Sequence, residues 1–497
     1  MSPSQPMDDR SLAHLDAVAQ AELVRRGELT PSELVEAAIR RIERLDPELH
    51  SVIHPAFDDA RREVDRVPTE APFAGVPILM KDIGGEEAGR PICAGMRAAR
   101  DAEYTATVDS HFTRKIRDAG FVSLGRTNTP ELALLPTTEP DAFGATHNPW
   151  NLGHSSGGSS GGAAAAVAAG LVPVAHASDG GGSIRGPASM CGLVGLKPTR
   201  GRNSFGPGAG ERWSGFSCEF VVSRTVRDSA ALLDVTSGRM TGDPYSAPPP
   251  ARPFSEAIDA DRKGLRVGVM RHAPRDIEVH PDMIAAVERT AETLESLGHS
   301  VELAHPKALD EPDVVRLYVD VVCANVARAL ESWGEKLGQP VDEGCVEPLT
   351  WALAERGHSL SASRLLAAME GVHAFGRRVS DFFAGDGGAD GFDLLLTPTQ
   401  AQPPPELGYM AQMPDNPLGP FLRAAPYGVF TLPFNLSGQP GISLPGHFTS
   451  GAGGGPADLP IGVQLVAASG DEATLLDVAA QLERATLFSA RTPPVFG

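Results

Sequence analysis

Cysteine is scarce in this 497-residue chain: Cys93, Cys191, Cys218, Cys323 and Cys345 are an odd number with no CxxC pair among them. That excludes a disulfide framework and a thiolate zinc site, and it fits reduced thiols. Positive charge is also in short supply. Lys and Arg total 43 against 63 Asp and Glu, a formal charge of -20. With no basic cluster to hold a phosphate backbone, a nucleic-acid partner is not expected. Long hydrophobic runs are missing as well. The most apolar stretch, 163–174, falls short of the ~20 residues that cross a bilayer and is interrupted by Gly170 and Pro173. Asp8 and Asp9 stand where a signal peptide needs a cationic start followed by an apolar run. These absences predict a cytoplasmic protein without a membrane span, and no repeat of fixed period is found.

What the chain does have is glycine and proline, 54 and 43 residues, in a composition 41% hydrophobic and 21% charged. Such a chain is globular, rich in loops and long enough to bury a sizeable core. Residues 11–48 read as two helices, the second started by Thr30 as cap and Pro31 in the first turn, with Leu34, Ala37, Ala38 and Ile42 at helical spacing. An apolar strand within 73–82 ends in Lys81 and Asp82. A helix at 111–120 and a strand at 121–125 follow, and strand, helix, strand recur at 265–270, 281–297 and 299–303. Further strands are predicted at 172–176, 393–398 and 441–445, with a helix at 228–235. Residues 309–383, carrying Trp333 and Trp351, read as mainly helical, while 403–405 and 451–456 are turn punctuation. The alternation predicts a large α/β sheet sandwiched by helices.

Two Gly/Ser clusters flank an alanine-rich segment: GGSSGG at 157–162 and GGGS at 180–183. Glycine costs conformational entropy on folding, so two such clusters point to a built site rather than to packing. A serine becomes a useful nucleophile when a base takes its proton and N–H donors meet the developing oxyanion. The amides of Gly180, Gly181, Gly182 and Ser183 can turn inward as such a nest, with Ser183 supplying the oxygen; a glycine turn with an incidental serine is the alternative. Ser159 competes for the same role, because 157–161 matches G-x-S-x-G. That elbow needs an apolar strand running into it, whereas 148–155 reads as a loop, and no later Asp and His pair stands out. A flexible linker is a further alternative, but the small residues of 163–169 suit a tightly buried helix better. No Gly-Lys-Ser/Thr occurs here, so a phosphate loop is excluded.

Without a convincing histidine, the candidate base is Lys81. An ordinary lysine, with a pKa near ~10.4, is protonated at neutral pH, but burial at the end of a strand lowers that value. Ser159 placed between Lys81 and Ser183 would then relay the proton. An ion pair between Lys81 and Asp82 or another carboxylate is the competing account.

The run GVPILMKD around Lys81, GGSSGG at 157–162, and DGGGSIR at 179–185 followed by GLKPT at 195–199 resemble the amidase signature family, and the likeness spans nearly the whole chain. It implies one α/β/α domain over 1–497, built on a large mixed sheet with helices on both faces. Residues 1–70 would form a helical segment packed on the body, and 309–383 a cap near the substrate pocket. The family's Ser-cisSer-Lys triad maps onto Ser183, Ser159 and Lys81, with a cis peptide bond preceding Ser159. The oxyanion hole would use the amides of Gly180, Gly181, Gly182 and Ser183. Asp179 and Arg185 would brace the loop, and Ser160 lies beside the triad. Segments 137–151, 318–323 and 433–440 are similar to nylon-oligomer-degrading members, which puts Cys323 in the pocket wall as a substrate contact; a small core cysteine on a helix is the alternative. The resemblance therefore implies hydrolysis of small linear or cyclic amides through an acyl-enzyme, with no metal or organic cofactor. Aryl amides, amino-acid amides and carbamates stay open as substrates. The alternatives are the glutaminase subunit of a tRNA-dependent amidotransferase, or a non-catalytic binding protein on the same scaffold. A homodimer is expected from the resemblance.

Overall fold

The computed structural model describes residues 8–385, 391–413, 415–451 and 456–497; residues 452–455 of the turn expected at 451–456 lie outside them. Its strands are β1 (Val52–Pro55), β2 (Pro77–Lys81), β3 (Val122–Thr127), β4 (His147–Asn148), β5 (Asn151–Ser155), β6 (Val174–Asp179), β7 (Val194–Lys197), β8 (Cys218–Ser223), β9 (Arg266–Val269), β10 (Ser300–Leu303), β11 (Leu394–Pro398), β12 (Gly441–Ser450) and β13 (Ala457–Ala467). All but β4 and β5 join one mixed sheet in the order β1-β3-β2-β6-β8-β7-β12-β13-β11-β9-β10. The pairs β2/β3, β2/β6, β9/β10 and β9/β11 are parallel, and the β6-β8-β7-β12-β13-β11 run is antiparallel.

Sequence alternation explains why both faces are covered. Leu394 and Leu396 of β11, with Val463 and Leu465 of β13, face one hydrophobic cluster, whereas their neighbours Leu395 and Val466 face the other. Side chains on a strand point alternately to opposite faces, so a sheet apolar on both sides must be buried on both. Helices Arg185–Cys191 and Pro281–Ser296 pack on β12 and β13, and Val226–Thr236 packs on β8. The helices Val314–Leu337, Pro348–His358 and Ala362–Ala384 account for most of 309–383 and build the second cluster.

Two local readings needed correction. The first predicted helix is two, Asp9–His14 and Ala17–Arg25, because Asp16 breaks the run and caps the second through the Ala19 N–H. The predicted loop at 148–155 contains the hairpin β4/β5, pinned by Asn148, whose side-chain amide donates to the Ser155 and Met190 carbonyls. The Thr30 cap forms as read, with Glu33 completing a capping box over Pro31–Leu49.

Candidate active site

Strand β2 is buried along its whole length and delivers Lys81 to the sheet's interior edge with no exposed surface. Its ammonium nitrogen meets three hydroxyls: Ser159 Oγ at 2.7 Å, Ser160 Oγ at 2.9 Å and Ser178 Oγ at 3.1 Å. Among the described residues no carboxylate lies within ion-pairing distance of it. Asp82 turns away and accepts the Cys93 and Gly95 amides instead, which removes the ion-pair account of Lys81. Burial lowers the Lys81 pKa from 10.5 to about 7, against the opposing pull of Asp179 and Glu219. Fully buried His176 accepts the Lys81 backbone N–H at Nδ1 and, through burial and the charges of Arg126 and Lys81, stays far below its ordinary pKa. It therefore supports the strand's backbone rather than offering a base to a serine.

The first Gly/Ser cluster wraps around Lys81. The Gly158–Ser159 peptide bond is cis, in agreement with the expectation. Thr138 Oγ1 donates to the Gly157 carbonyl and Thr129 Oγ1 to the Ser159 carbonyl, each at 2.8 Å. A side chain on Gly158 would stand 2.5 Å from the Thr137 carbonyl oxygen, so only glycine lets these segments approach. The helix Gly161–Ala168 that follows is buried on every side, as small residues allow.

The second cluster begins where β6 ends. Asp179 accepts from the Gly182, Ile184 and Arg185 amides and pairs with the Arg185 guanidinium at 2.8 Å. Burial works against its ionisation, but the Arg185 charge and hydrogen bonds hold it well below the usual carboxylate range. Arg185 in turn donates to the Thr431 carbonyl, Asn435 Oδ1 and Gln464 Oε1. The expected brace is thus a fully buried network reaching into β13. Gly182 has φ +138, and a side chain there would meet Thr431 Oγ1 at 2.3 Å. Its amide donates to Asp179 Oδ1 at 2.8 Å. That corrects the expectation of four oxyanion donors, because an N–H claimed by a buried carboxylate is not free for a ligand. The amides of Gly180, Gly181 and Ser183 carry no hydrogen bond among the described residues.

Both clusters line one cavity of about 260 Å³, together with Gly84, Ser178, Glu219, Tyr318 and Gln400. Ser159 and Ser183 share this cavity, with no hydrogen bond between their hydroxyls among the described residues. Leu134, Leu135, Leu309, Val314, Val315 and Leu432 give it an apolar stretch, and Arg212, Ser217, Arg275 and Glu311 also line it. Cys323 is not part of it. On the helix Val314–Leu337 the cavity face carries Val314, Val315, Tyr318 and Val319, and Cys323 is turned into the helical cluster with no exposed surface. Five residues beyond Tyr318 amount to about 140° of helical rotation, so the expected substrate contact is instead a core residue. Sequence reading gave no role to Ser178, Glu219, Thr431 or Asn435, although Asn435 falls in the segment 433–440 that carries part of the resemblance and Ser178 precedes Asp179 on an apolar strand.

The Amidase family model matches residues 33–476. The chain belongs to the amidase family. It is 43% identical over 486 residues to the 6-aminohexanoate-cyclic-dimer hydrolase of Pseudomonas sp. (strain NK87), covering 96% of each. The solved structure of 6-aminohexanoate cyclic dimer hydrolase complexed with substrate superposes with a TM-score of 0.93 at 42% identity, over 98% of this chain and 100% of that one. A bacterial aryl acylamidase of the amidase signature family superposes with a TM-score of 0.83 at 27% identity, over 96% and 99% of the two chains. As in those structures, the fold is α/β with one large mixed sheet. No described helix is long and apolar enough to cross a membrane.

Proposed function

We propose that this amidase hydrolyses the C–N bond of small linear or cyclic amides, nylon oligomers among them, with Ser183 as nucleophile, Ser159 as relay and Lys81 as base. The observation that carries this reading is the 2.7 Å hydrogen bond between Lys81 Nζ and Ser159 Oγ in a fully buried setting. A neutral amine has two N–H donors and one lone pair. Ser160 directs its own hydrogen to the Ser178 carbonyl and so receives one N–H of Lys81, and Ser178 Oγ receives the other, which leaves the closest hydroxyl, Ser159, to donate to the lone pair. A serine in that state is ready to take a proton from a neighbour as it gives up its own.

Ser183 Oγ attacks the amide carbon while its proton passes to Ser159 and the Ser159 proton to Lys81. The oxyanion is held by the amides of Gly180, Gly181 and Ser183. Collapse breaks the C–N bond, and the departing amine takes its proton back through Ser159. Water then repeats the sequence on the acyl-enzyme and frees the acid and Ser183. No step calls on a metal or an organic cofactor, or on nucleic acid.

The apolar stretch of the wall suits substrates with polymethylene or aryl bodies, which favours a self-contained amidase over an amidotransferase subunit. The similarity to the cyclic-dimer hydrolase favours oligomers of an amino acid within that class. A panel of linear and cyclic nylon oligomers, aryl amides, amino-acid amides and carbamates, with Ser183→Ala as blank, tests the reading. Equal turnover by wild type and Ser183→Ala would refute it. Sedimentation of the purified protein tests the homodimer and its cytoplasmic role is tested by cell fractionation.

A further inference from the structure

Three metal-ligating side chains stand together outside the cavity: His272, His305 and Asp310. The sheet brings them there. β9 and β10 are parallel neighbours with Val269 paired to Leu303, so the chain leaves both strands side by side at one end of the sheet. His272 follows Val269 by three residues and His305 follows Leu303 by two. The 3-10 turn Lys307–Asp310 then folds the chain back and returns Asp310 to His305.

His305 Nε2 lies 2.9 Å from Asp310 Oδ2, and His272 Nε2 lies 3.6 Å from Asp310 Oδ1. The two imidazoles meet edge to face, with centroids 4.8 Å apart and planes at 79°. A tetrahedral zinc ion bound at about 2.0–2.1 Å sets its ligand atoms about 3.4 Å apart and the centroids of two ligating imidazoles about 5 Å apart. The carboxylate contacts bracket the first value and the ring spacing is close to the second. A surface carboxylate ordinarily finds an arginine or lysine, but among the described residues neither pairs with Asp310. The arginines nearest along the fold are taken, Arg271 by Glu288 and Arg378 by Glu311. The His305 side chain is 10% exposed and so held in place, while those of His272 and Asp310 are 60% and 43% exposed, which gives an ion access from solvent. Two imidazole nitrogens and one carboxylate oxygen suit a borderline cation such as Zn2+, and not Ca2+ or Mg2+, which take oxygen ligands.

We propose that His272 Nε2, His305 Nε2 and the Asp310 carboxylate bind one zinc-class divalent cation, with water completing the tetrahedron. The site is separate from Lys81, Ser159 and Ser183 and none of its ligands lines the cavity, but Pro274, Arg275, Leu309 and Glu311 beside them do. The ion therefore fastens the segment after β9 to the turn that leads into the helix Val314–Leu337, at the cavity's rim. Each imidazole binds through the Nε2 lone pair and carries its hydrogen on Nδ1.

The experiment titrates the full-length, untagged chain, stripped of metal by a chelator, with ZnCl2 in a calorimeter and with CoCl2 in a visible spectrometer. Wild type is expected to take up one Zn2+ per chain, to melt at a higher temperature as Zn2+ is added, and to give the intense visible absorption of four-coordinate Co2+. His272→Ala and, separately, Asp310→Asn are expected to weaken Zn2+ binding at least about tenfold and to remove the cobalt absorption. Both positions are exposed, and circular dichroism in chelator checks that the variants are folded. His305→Ala tests the third ligand in the same way. Absence of saturable Zn2+ binding by wild type overturns the inference, as does a weak cobalt spectrum of the octahedral kind. Unchanged affinity in folded His272→Ala and Asp310→Asn also overturns it, because the zinc would then sit adventitiously on other histidines.

Discussion

Replacing Lys81 with methionine keeps the approximate length and burial of the side chain and removes its titration together with its hydrogen bonds to three serines, of which only the titration adds a pH dependence of its own. In the folded protein, burial lowers the Lys81 pKa to about 7. In the unfolded chain the same lysine holds its proton up to about 10.4. Between those two values the unfolded state binds more protons than the folded one, so stability rises with pH across this window and levels off below it. Working through the linkage, wild type gains about 2 kcal/mol relative to Lys81→Met between pH 7 and pH 9. Urea denaturation of both proteins at the two pH values measures this, and contributions from other groups cancel in the difference. Catalysis reads the same titration independently. The neutral fraction of the amine falls about tenfold per unit below pH 7, so kcat/KM at pH 5 is expected at roughly one hundredth of its plateau. Equal pH slopes for the two proteins would show that Lys81 is charged in the fold. A rate that stays level down to pH 5 would show that its neutral form is not the base, and either result refutes the mechanism.

Ser159→Ala removes the relay while leaving Ser183 in place, and its kcat is expected to fall by about 10²- to 10⁴-fold, measured on the best amide of the panel. Arg185→Met strands Asp179 as an unpaired buried charge and is expected to cost about 3–5 kcal/mol in urea denaturation; a loss below 1 kcal/mol would mean the network is not held by that pair. Gly182→Ala drives a methyl against Thr431 Oγ1 at a positive φ, and the resulting shift of the loop is expected to lower kcat/KM about a hundredfold. Cys323→Ala is expected to cost about 1 kcal/mol of stability, with relative kcat/KM values across the panel unchanged, since Cys323 is core and not pocket; altered selectivity would contradict that placement.

Much of the fold was legible along the chain because it rests on local signals. Thr30, Pro31 and Glu33 mark a helix start by interactions within one turn, and 77–81 reads as a strand by its unbroken apolar run. The hairpin at 147–155 was not legible, since its strands are short and polar and are fixed by Asn148 reaching to Met190.

The sequence by itself determined the chemistry on offer: a lysine at the end of a buried strand, two glycine-framed serines, and an Asp and Arg bracketing the second of them. These identities are written in short motifs, so inspection finds them. Only the tertiary structure decided which of those groups meet and which are already occupied. It set Lys81 on three hydroxyls rather than on Asp82, gave the Gly182 amide to Asp179, and turned Cys323 into the core. It also placed Glu219 across from Ser178 in the cavity wall. The physical reason is that hydrogen-bond partners, burial and the face a side chain presents depend on strands and helices far apart in sequence, and those relations do not exist until the sheet has formed.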